Sequence, residues 1–363
     1  MNQHYEIVGV ASTLKELEEV ELQEGIRTHG IEMTRTISPV KDIKAVFQLY
    51  RFLRKEKPFI VHTHTPKAGI VGMMAAWLAG VKHRYHTVAG MPLLEATGLK
   101  RKVLNLVEKL TYKFATKVFP NSNGQRQIII DEGFAKPEKL RVIGKGSSNG
   151  IDVNHFDPTL ISEDQTNKLR SDLGISEDEL VMVYIGRLVK DKGINELVEA
   201  FDKFSKLGMN GKLVLVGKRE TELDPLDPAT EKIISDNPGI ISAGWQDDVR
   251  PFLSMADVFV FPTYREGFPN VVLQAGAMGV PAIVTDINGC NEIIKNQLNG
   301  IIIPTKDSRA ILDAMILLAK DAATRREMQT VARENIVENY QQTYIWSELL
   351  KLYKSTEISE DVS

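Results

Sequence analysis

The sequence predicts an α/β protein of two Rossmann-like domains, each a parallel sheet with helices on both faces. Three observations predict it. At 363 residues the chain exceeds the usual size of one hydrophobic core. Short apolar runs alternate with stretches of helical period through both halves. A segment rich in Gly, Ser and Asn, residues 144–158, separates the two series.

In the first half, strands are expected over 5–10, 28–33, 59–62, 83–88, 118–120 and 140–143, where β-branched and aromatic residues concentrate. Helices are expected over 14–24, 43–55, 68–79 and 100–116. The last of these sets Leu104, Val107 and Leu110 on one face. In the second half, strands are expected over 180–185, 212–216, 240–243, 257–261, 282–285 and 300–303. Helices alternate with them over 194–207, 229–235 and 249–255, after Asn270, around 291–295, and over 310–320 and 324–352. Only four polar residues precede the first strand, whereas a Rossmann-like domain normally opens with a strand, a glycine-rich turn and a helix. The expectation is that Met1 is an internal methionine and that the first βα unit is missing.

Composition narrows the function classes. Apolar and charged fractions of 43% and 26% are those of an ordinary globular protein. The one cysteine, Cys290, excludes an internal disulfide framework and suits a reducing compartment. No run of 18 apolar residues and no signal peptide is present, so a cytoplasmic protein is expected. Residues 1–145 hold 23 Lys and Arg against 14 Asp and Glu, while residues 146–363 hold 22 against 34. Arg51, Arg54, Lys55 and Lys57 cluster, as do Lys100, Arg101, Lys102, Lys109, Lys113 and Lys117. A basic first half can approach anionic lipid or a phosphorylated substrate, or can be plain solvated charge. Nucleic acid is not expected, because no binding motif accompanies the charge.

The chemistry concentrates at strand ends in the second half. Glu266, Gly267, Phe268, Pro269 and Asn270 follow the strand over 257–261 and open a helix that carries Gln274. Ligands of open α/β sheets bind beyond the carboxyl ends of strands, and Asn270 can cap the free N–H groups of a helix start that attracts phosphate. Gly186 and Arg187, with Lys190, Lys192 and Gly193, close the strand over 180–185 and suit a cationic cradle for a diphosphate, the alternative being a solvated basic turn. Gly217, Lys218 and Arg219 close the next strand in the same way. Gly244, Trp245 and Gln246 follow another strand, where Trp245 reads equally as a base contact or as core. The run from Gly144 to Gly150 has its third glycine displaced from a dinucleotide fingerprint and no helix after it, so a nicotinamide cofactor is not expected. His62, His64 and His86 lack a zinc spacing, and no Asp-x-Asp pair is available for a diphosphate-bound cation; no metal is expected. His64 and Lys67 sit at the mouth of the first half, placed to meet an acceptor or its phosphate.

Together these residues resemble glycosyltransferase family 4, retaining enzymes with the GT-B fold of two Rossmann-like domains facing a cleft. The similarity covers nearly the whole chain. Glu266 and Gln274 occupy the family's Glu-x7-Glu motif, and Arg187 and Lys192 match its diphosphate-binding Arg and Lys. The segments 62–69 and 144–152 are similar to a bacterial subgroup that builds capsules, O-antigens and bacillosamine-type glycans. The resemblance implies a nucleotide-sugar donor, with a UDP-sugar expected, an undecaprenyl-diphosphate-linked acceptor, no cofactor, and peripheral contact with the inner face of the plasma membrane. It assigns Glu266, Arg187 and Lys192 to catalysis. Donor binding falls to Gly186, Arg187, Lys192, Gly217, Lys218, Gly244, Trp245, Gln246, Glu266 to Asn270, and Gln274. The acceptor side receives His64, Lys67 and Gly90.

Two residues depart from the family pattern. Gln274 replaces the second Glu, which binds the donor ribose, with an uncharged acceptor. Val88, Ala89 and Gly90 stand where many members carry a histidine before the glycine. The implied domains are an incomplete acceptor-side domain over 1–145, a donor domain over 146–335, a helix over 336–354 packing back on the first, and a disordered tail over 355–363. In the family, the acceptor hydroxyl arrives from the leaving-group side and the departing phosphate takes its proton. Two rivals stand beside this reading: a truncated homologue that only binds, and an epimerase or phosphorylase, which an absorbance spectrum for NAD or pyridoxal phosphate would reveal.

Overall fold

The computed structural model describes residues 1–361 apart from Thr13, residues 35–37, Thr221 and Leu223. Its contacts divide the chain into two units, Met1–Ser148 with the segment from Trp346 onward, and Asn149–Ile345.

The first unit runs β1 (Val8–Ala11), α1 (Leu14–Glu24), β2 (Arg27–Gly30), α2 (Pro39–Glu56), β3 (Ile60–Thr63), α3 (Pro66–Leu78), β4 (His83–Val88), α4 (Gly98–Phe114), β5 (Lys117–Pro120) and α5 (Asn123–Asp131). Strands β1 and β2 pair with each other, β3, β4 and β5 form a three-stranded sheet, and every pairing is parallel. Helix α3 opens on a Thr65 side chain that accepts the Ala68 N–H, with Pro66 in its first turn. One core gathers Met73, Leu93, Tyr112, Val118 and Ile129; another gathers Ile31, Leu49, Leu53 and Val71.

The sequence reading differs from the structure at several elements. Helix α5 is not among the expected elements; Ser122 caps it by accepting the Gln125 N–H. The strand expected over 140–143 is a single bridge from Leu140 to Val118, squeezed between a 3-10 turn at Pro137–Lys139 and a Gly144 at positive φ. The tail expected to be disordered from Ser355 is helical to Asp361, while residues 362–363 lie outside the described residues. What holds it is contact that composition does not reveal. Leu352 packs with Tyr85 and Phe119, and the buried Thr356 shares a hydrogen bond with Tyr85 Oη at 2.7 Å.

Two buried histidines of this unit carry a pH prediction. Burial pushes His86 down to about 3, and burial, then the charges of His64 and His86, lowers His62. His62 hydrogen-bonds Tyr353 Oη at 2.6 Å and Thr87 Oγ1 at 2.8 Å, and His86 hydrogen-bonds Thr63 Oγ1 at 2.8 Å. Both rings are neutral in the fold but protonate near about 6.5 once unfolded. The unfolded chain therefore binds more protons below that pH, and their contribution to stability falls as pH drops through it. A thermal midpoint that declines below about pH 6.5, with a shallower decline in His86→Asn, is expected. Identical slopes for the two proteins would contradict this.

The second unit runs α6 (Glu163–Asp172), β6 (Leu180–Ile185), α7 (Ile194–Lys206), β7 (Gly211–Val216), α8 (Pro228–Asp236), β8 (Ile240–Gly244), α9 (Arg250–Ser254), β9 (Val258–Phe261), α10 (Asn270–Ala277), β10 (Ala282–Thr285), α11 (Cys290–Ile293), β11 (Gly300–Ile303), α12 (Ser308–Lys320) and α13 (Ala322–Tyr340). Its sheet has the order β11-β10-β9-β6-β7-β8, parallel throughout. Strand β6 is buried along its whole length, and α7 packs Leu197, Phe201 and Phe204 into the core, so both faces of the sheet are covered.

The single helix expected over 324–352 is two, α13 and α14 (Gln342–Asp361). Gln341 between them is extended, and its neighbours bracket Ile151: the Ile151 N–H donates to Tyr340 O, and the Gln342 N–H donates to Ile151 O. Among the described residues no helix is long and apolar enough to cross a membrane.

Candidate active site

In the order β11-β10-β9-β6-β7-β8, chain direction across the sheet reverses between β6 and β9, which are hydrogen-bonded neighbours. Such a reversal parts the loops at the carboxyl ends of the two strands and opens a crevice there. The loop after β6 carries Gly186, Arg187 and the 3-10 turn Lys190–Lys192; the loop after β9 carries Glu266. The two principal motifs of the sequence lie in these two loops.

Glycine is required where the exits of β6 and β7 meet. Gly217 has φ 149°, and a Cβ there would lie 1.8 Å from the Gly186 carbonyl oxygen. The Gly217 N–H donates to Gly244 O, so the carboxyl ends of β6, β7 and β8 are tied edge to edge by glycine backbone. Gly193, at φ 69°, opens α7 against the carbonyl of Pro262.

Across the switch point, Lys192 Nζ donates to Glu266 Oε1 at 2.5 Å, with side chains 14% and 19% exposed. Thr263 Oγ1 also reaches that oxygen at 3.4 Å, and the Asn288 side chain donates to the Glu266 backbone carbonyl. Gly289 presses on the Gly267 carbonyl so closely that a Cβ would stand 2.9 Å away. The loop after β10 thus supports the Glu266 loop. Phe268 anchors it from within, its buried ring 5.5 Å from that of Tyr340. Pro269 is the N-cap of α10, and Asn270 is its exposed first residue. The expectation that the Asn270 side chain caps this helix is therefore corrected. Pro269 offers no side-chain cap, and its carbonyl accepts the Val272 N–H at 3.1 Å, so the N–H groups of Asn270 and Val271 alone precede the helix's own bonds. Gln274 is half-buried one turn further on.

Arg187 is exposed, and its guanidinium donates to Glu220 Oε2 at 2.8 Å. Trp245 is 61% exposed and not core. Lys218 Nζ lies 5.0 Å from the centre of its ring, and its Nε1 donates to Asp247. The Gln246 side chain turns back to Ala243 O at 2.8 Å. Arg219 points to Glu231 at 3.2 Å.

His64, Lys67 and Gly90 belong to the first unit. Lys67 Nζ is bound by both carboxylate oxygens of Asp42 at 2.6 Å, a commitment that the sequence reading does not foresee. His64 is exposed and stacks on His62 with ring centres 4.3 Å apart, and Gly90 is half-buried. Among the described residues no group of three His, Cys, Asp or Glu side chains could hold a metal ion. Gly144, Gly146, Ser147 and Gly150 all have positive φ, so that run leads into no dinucleotide-binding helix. Glu220, Asp191, Arg265 and Asn288 go unnoticed in the sequence, since they flank motifs without belonging to one.

Two family models match the chain, "Glycosyl transferases group 1" over residues 165–335 and "Glycosyl transferase 4-like domain" over residues 4–146. The capsular polysaccharide biosynthesis glycosyltransferase CapM of Staphylococcus aureus is 35% identical over 328 residues, which cover 90% of this chain and 84% of that protein. The chain belongs to glycosyltransferase family 4. Another relative of this family-4 enzyme is the Escherichia coli UDP-Gal:alpha-D-GlcNAc-diphosphoundecaprenol alpha-1,3-galactosyltransferase, 34% identical over 295 residues, covering 80% of this chain and 73% of that one. The N,N'-diacetylbacillosaminyl-diphospho-undecaprenol alpha-1,3-N-acetylgalactosaminyltransferase of Campylobacter jejuni is 27% identical over 336 residues, 91% of this chain and 86% of that one. Among solved structures, Anabaena Alr3699/HepE in complex with UDP superimposes with a TM-score of 0.80 at 18% identity, over 96% of this chain and 92% of that one. The glycosyltransferase thus has the GT-B fold, with two Rossmann-like units in which every strand pairing is parallel.

Proposed function

We propose that this glycosyltransferase moves a hexose or N-acetylhexosamine, with retention, from a UDP-sugar to a lipid-diphosphate-linked glycan in surface polysaccharide synthesis. The observation that carries the reading is the meeting of Lys192 and Glu266 at the switch point, on loops of which the first also carries Arg187. A cation for a diphosphate and a carboxylate for sugar hydroxyls lie within one hydrogen bond of each other. The named substrates of the E. coli and C. jejuni relatives support the lipid-linked acceptor.

In this reading Arg187 and Lys192 hold the diphosphate and Glu266 accepts from sugar hydroxyls. Gln274 bonds the ribose, and the exposed Trp245 with Lys218 offers a face to the base. The bond from the anomeric carbon to the phosphate oxygen breaks, and the acceptor oxygen bonds that carbon from the same side. Its proton passes to the departing phosphate. Charge developing on the diphosphate is stabilised by Arg187, Lys192 and the uncapped start of α10. Membrane contact falls to α4, where Lys100, Lys102, Lys109 and Lys113 accompany the exposed Leu99, Val103 and Leu106.

Incubation with UDP-galactose, UDP-glucose, UDP-N-acetylglucosamine and UDP-N-acetylgalactosamine, with an undecaprenyl-diphosphate-linked sugar as acceptor, tests the reading. Acceptor-dependent UDP release from at least one donor is expected; none from any of the four overturns it. Glu220→Gln, which frees Arg187 for phosphate, should tighten UDP binding by no more than about fivefold, because an exposed pair is worth about 0–1 kcal/mol. A loss of UDP affinity in that variant, measured by calorimetry, would mean that Glu220 itself serves the ligand.

A further inference from the structure

The structure assigns a positioning role to Asp191: it keeps the loop that bears Glu266 in register with the turn that bears Lys192. This inference rests on the sugar-transfer reading above. Two successive residues of the turn after β6 face two successive residues of the loop after β9 with their charges reversed. Asp191 Oδ2 accepts from Arg265 at 3.0 Å, and Lys192 donates to Glu266 at 2.5 Å. The backbone adds to the tie, since the Asp191 carbonyl accepts the Tyr264 N–H at 2.9 Å and the Thr263 hydroxyl at 3.4 Å. Tyr264 Oη in turn donates to the Glu196 carboxylate at 2.7 Å, fixing the same loop to the first turn of α7.

The two ion pairs have different fates when a donor binds. Phosphate oxygens compete for Lys192, and sugar hydroxyls compete for Glu266, so that pair loosens as the donor enters. The pair between Asp191 and Arg265 contains neither of these ligand-binding groups, and it remains to hold the spacing between them. Asp191 is 15% exposed, and its Oδ1 is buried with no hydrogen-bond partner among the described residues. Leaving a carboxylate oxygen unmatched is costly. A tie needed only for the fold could rest on the backbone bonds alone. Misplacement of a reacting group by about 1 Å can cost about 100-fold in rate.

The test uses Asp191→Asn, Arg265→Gln and the double variant, with UDP affinity, turnover of the four UDP-sugars named above, and amide hydrogen exchange of residues 263–266. Each single variant is expected to lose at least tenfold in kcat while binding UDP within threefold of the parent. The double variant should fall no more than threefold below either single one, because both remove the same pair. Exchange at residues 263–266 should rise in Asp191→Asn, and rise further with UDP bound, when Lys192 is engaged. Parent-like kcat, losses that multiply in the double variant, or unchanged exchange would overturn the role. If the parent protein turns over none of the four sugars, the transfer reading fails, and the exchange measurement still decides whether Asp191 holds the loop.

Discussion

Lys192→Ala is expected to lower turnover by about 100- to 1,000-fold, the loss measured when one preorganised donor to a developing charge is removed. Lys192 is poised for such an effect. Its ammonium is largely shielded from water and lies 2.5 Å from the Glu266 carboxylate, in the loops beyond the strand pair where the sheet reverses. Truncation removes a cation from the diphosphate and strips Glu266 of its nearest donor, so that the carboxylate meant for sugar hydroxyls loses its orientation. Arg187→Ala should cost at least tenfold but less than Lys192→Ala, since Arg187 is exposed and water replaces part of what it supplies. UDP release at saturating donor, with circular dichroism to show an intact fold, measures both. Near-parental turnover in the two variants would sink the diphosphate assignment.

The second large effect falls on stability. Gly217→Ala is expected to destabilise the second unit by about 3–5 kcal/mol, adding backbone strain at a glycine-only φ to an overlap with no room to relax. The added Cβ would meet the Gly186 carbonyl oxygen at 1.8 Å and its carbon at 2.8 Å, both main-chain atoms held by the β6–β7 pairing. Gly244→Ala is the control. It too has positive φ, at 68°, but nothing lies within 4 Å, and about 1–2 kcal/mol is expected. Urea unfolding of the two variants separates strain from overlap. Equal midpoints would contradict the close approach of the β6 and β7 exits.

Much of the fold was legible because parallel strands buried on both faces leave unbroken apolar runs. The bounds expected for β6, β10 and β11 are those observed. Where burial is slight the pattern fades: α6 buries no residue and is marked only by the reciprocal capping of Ser162 and Gln165. The helical tail was hidden for another reason, since Tyr353 and Thr356 find their partners, His62 and Tyr85, across more than two-thirds of the chain.

The candidate site divides in the same way. Arg187, Lys192 and Glu266 stand beside glycines at strand ends, a local signal readable along the chain. Their companions are not local. Glu220 reaches Arg187 across 33 residues, and Arg265 reaches Asp191 across 74, so only the fold brings each to its place. Trp245 shows the limit most clearly, because an indole after a strand is equally compatible with core or surface until its exposure is known.

The most direct test of the central claim is calorimetric titration of UDP into the protein in the presence of EDTA. The account predicts one UDP per chain, undiminished by the chelator and weakened at least tenfold in both Arg187→Ala and Lys192→Ala. No binding, binding that requires a divalent cation, or parental affinity in both variants would contradict it.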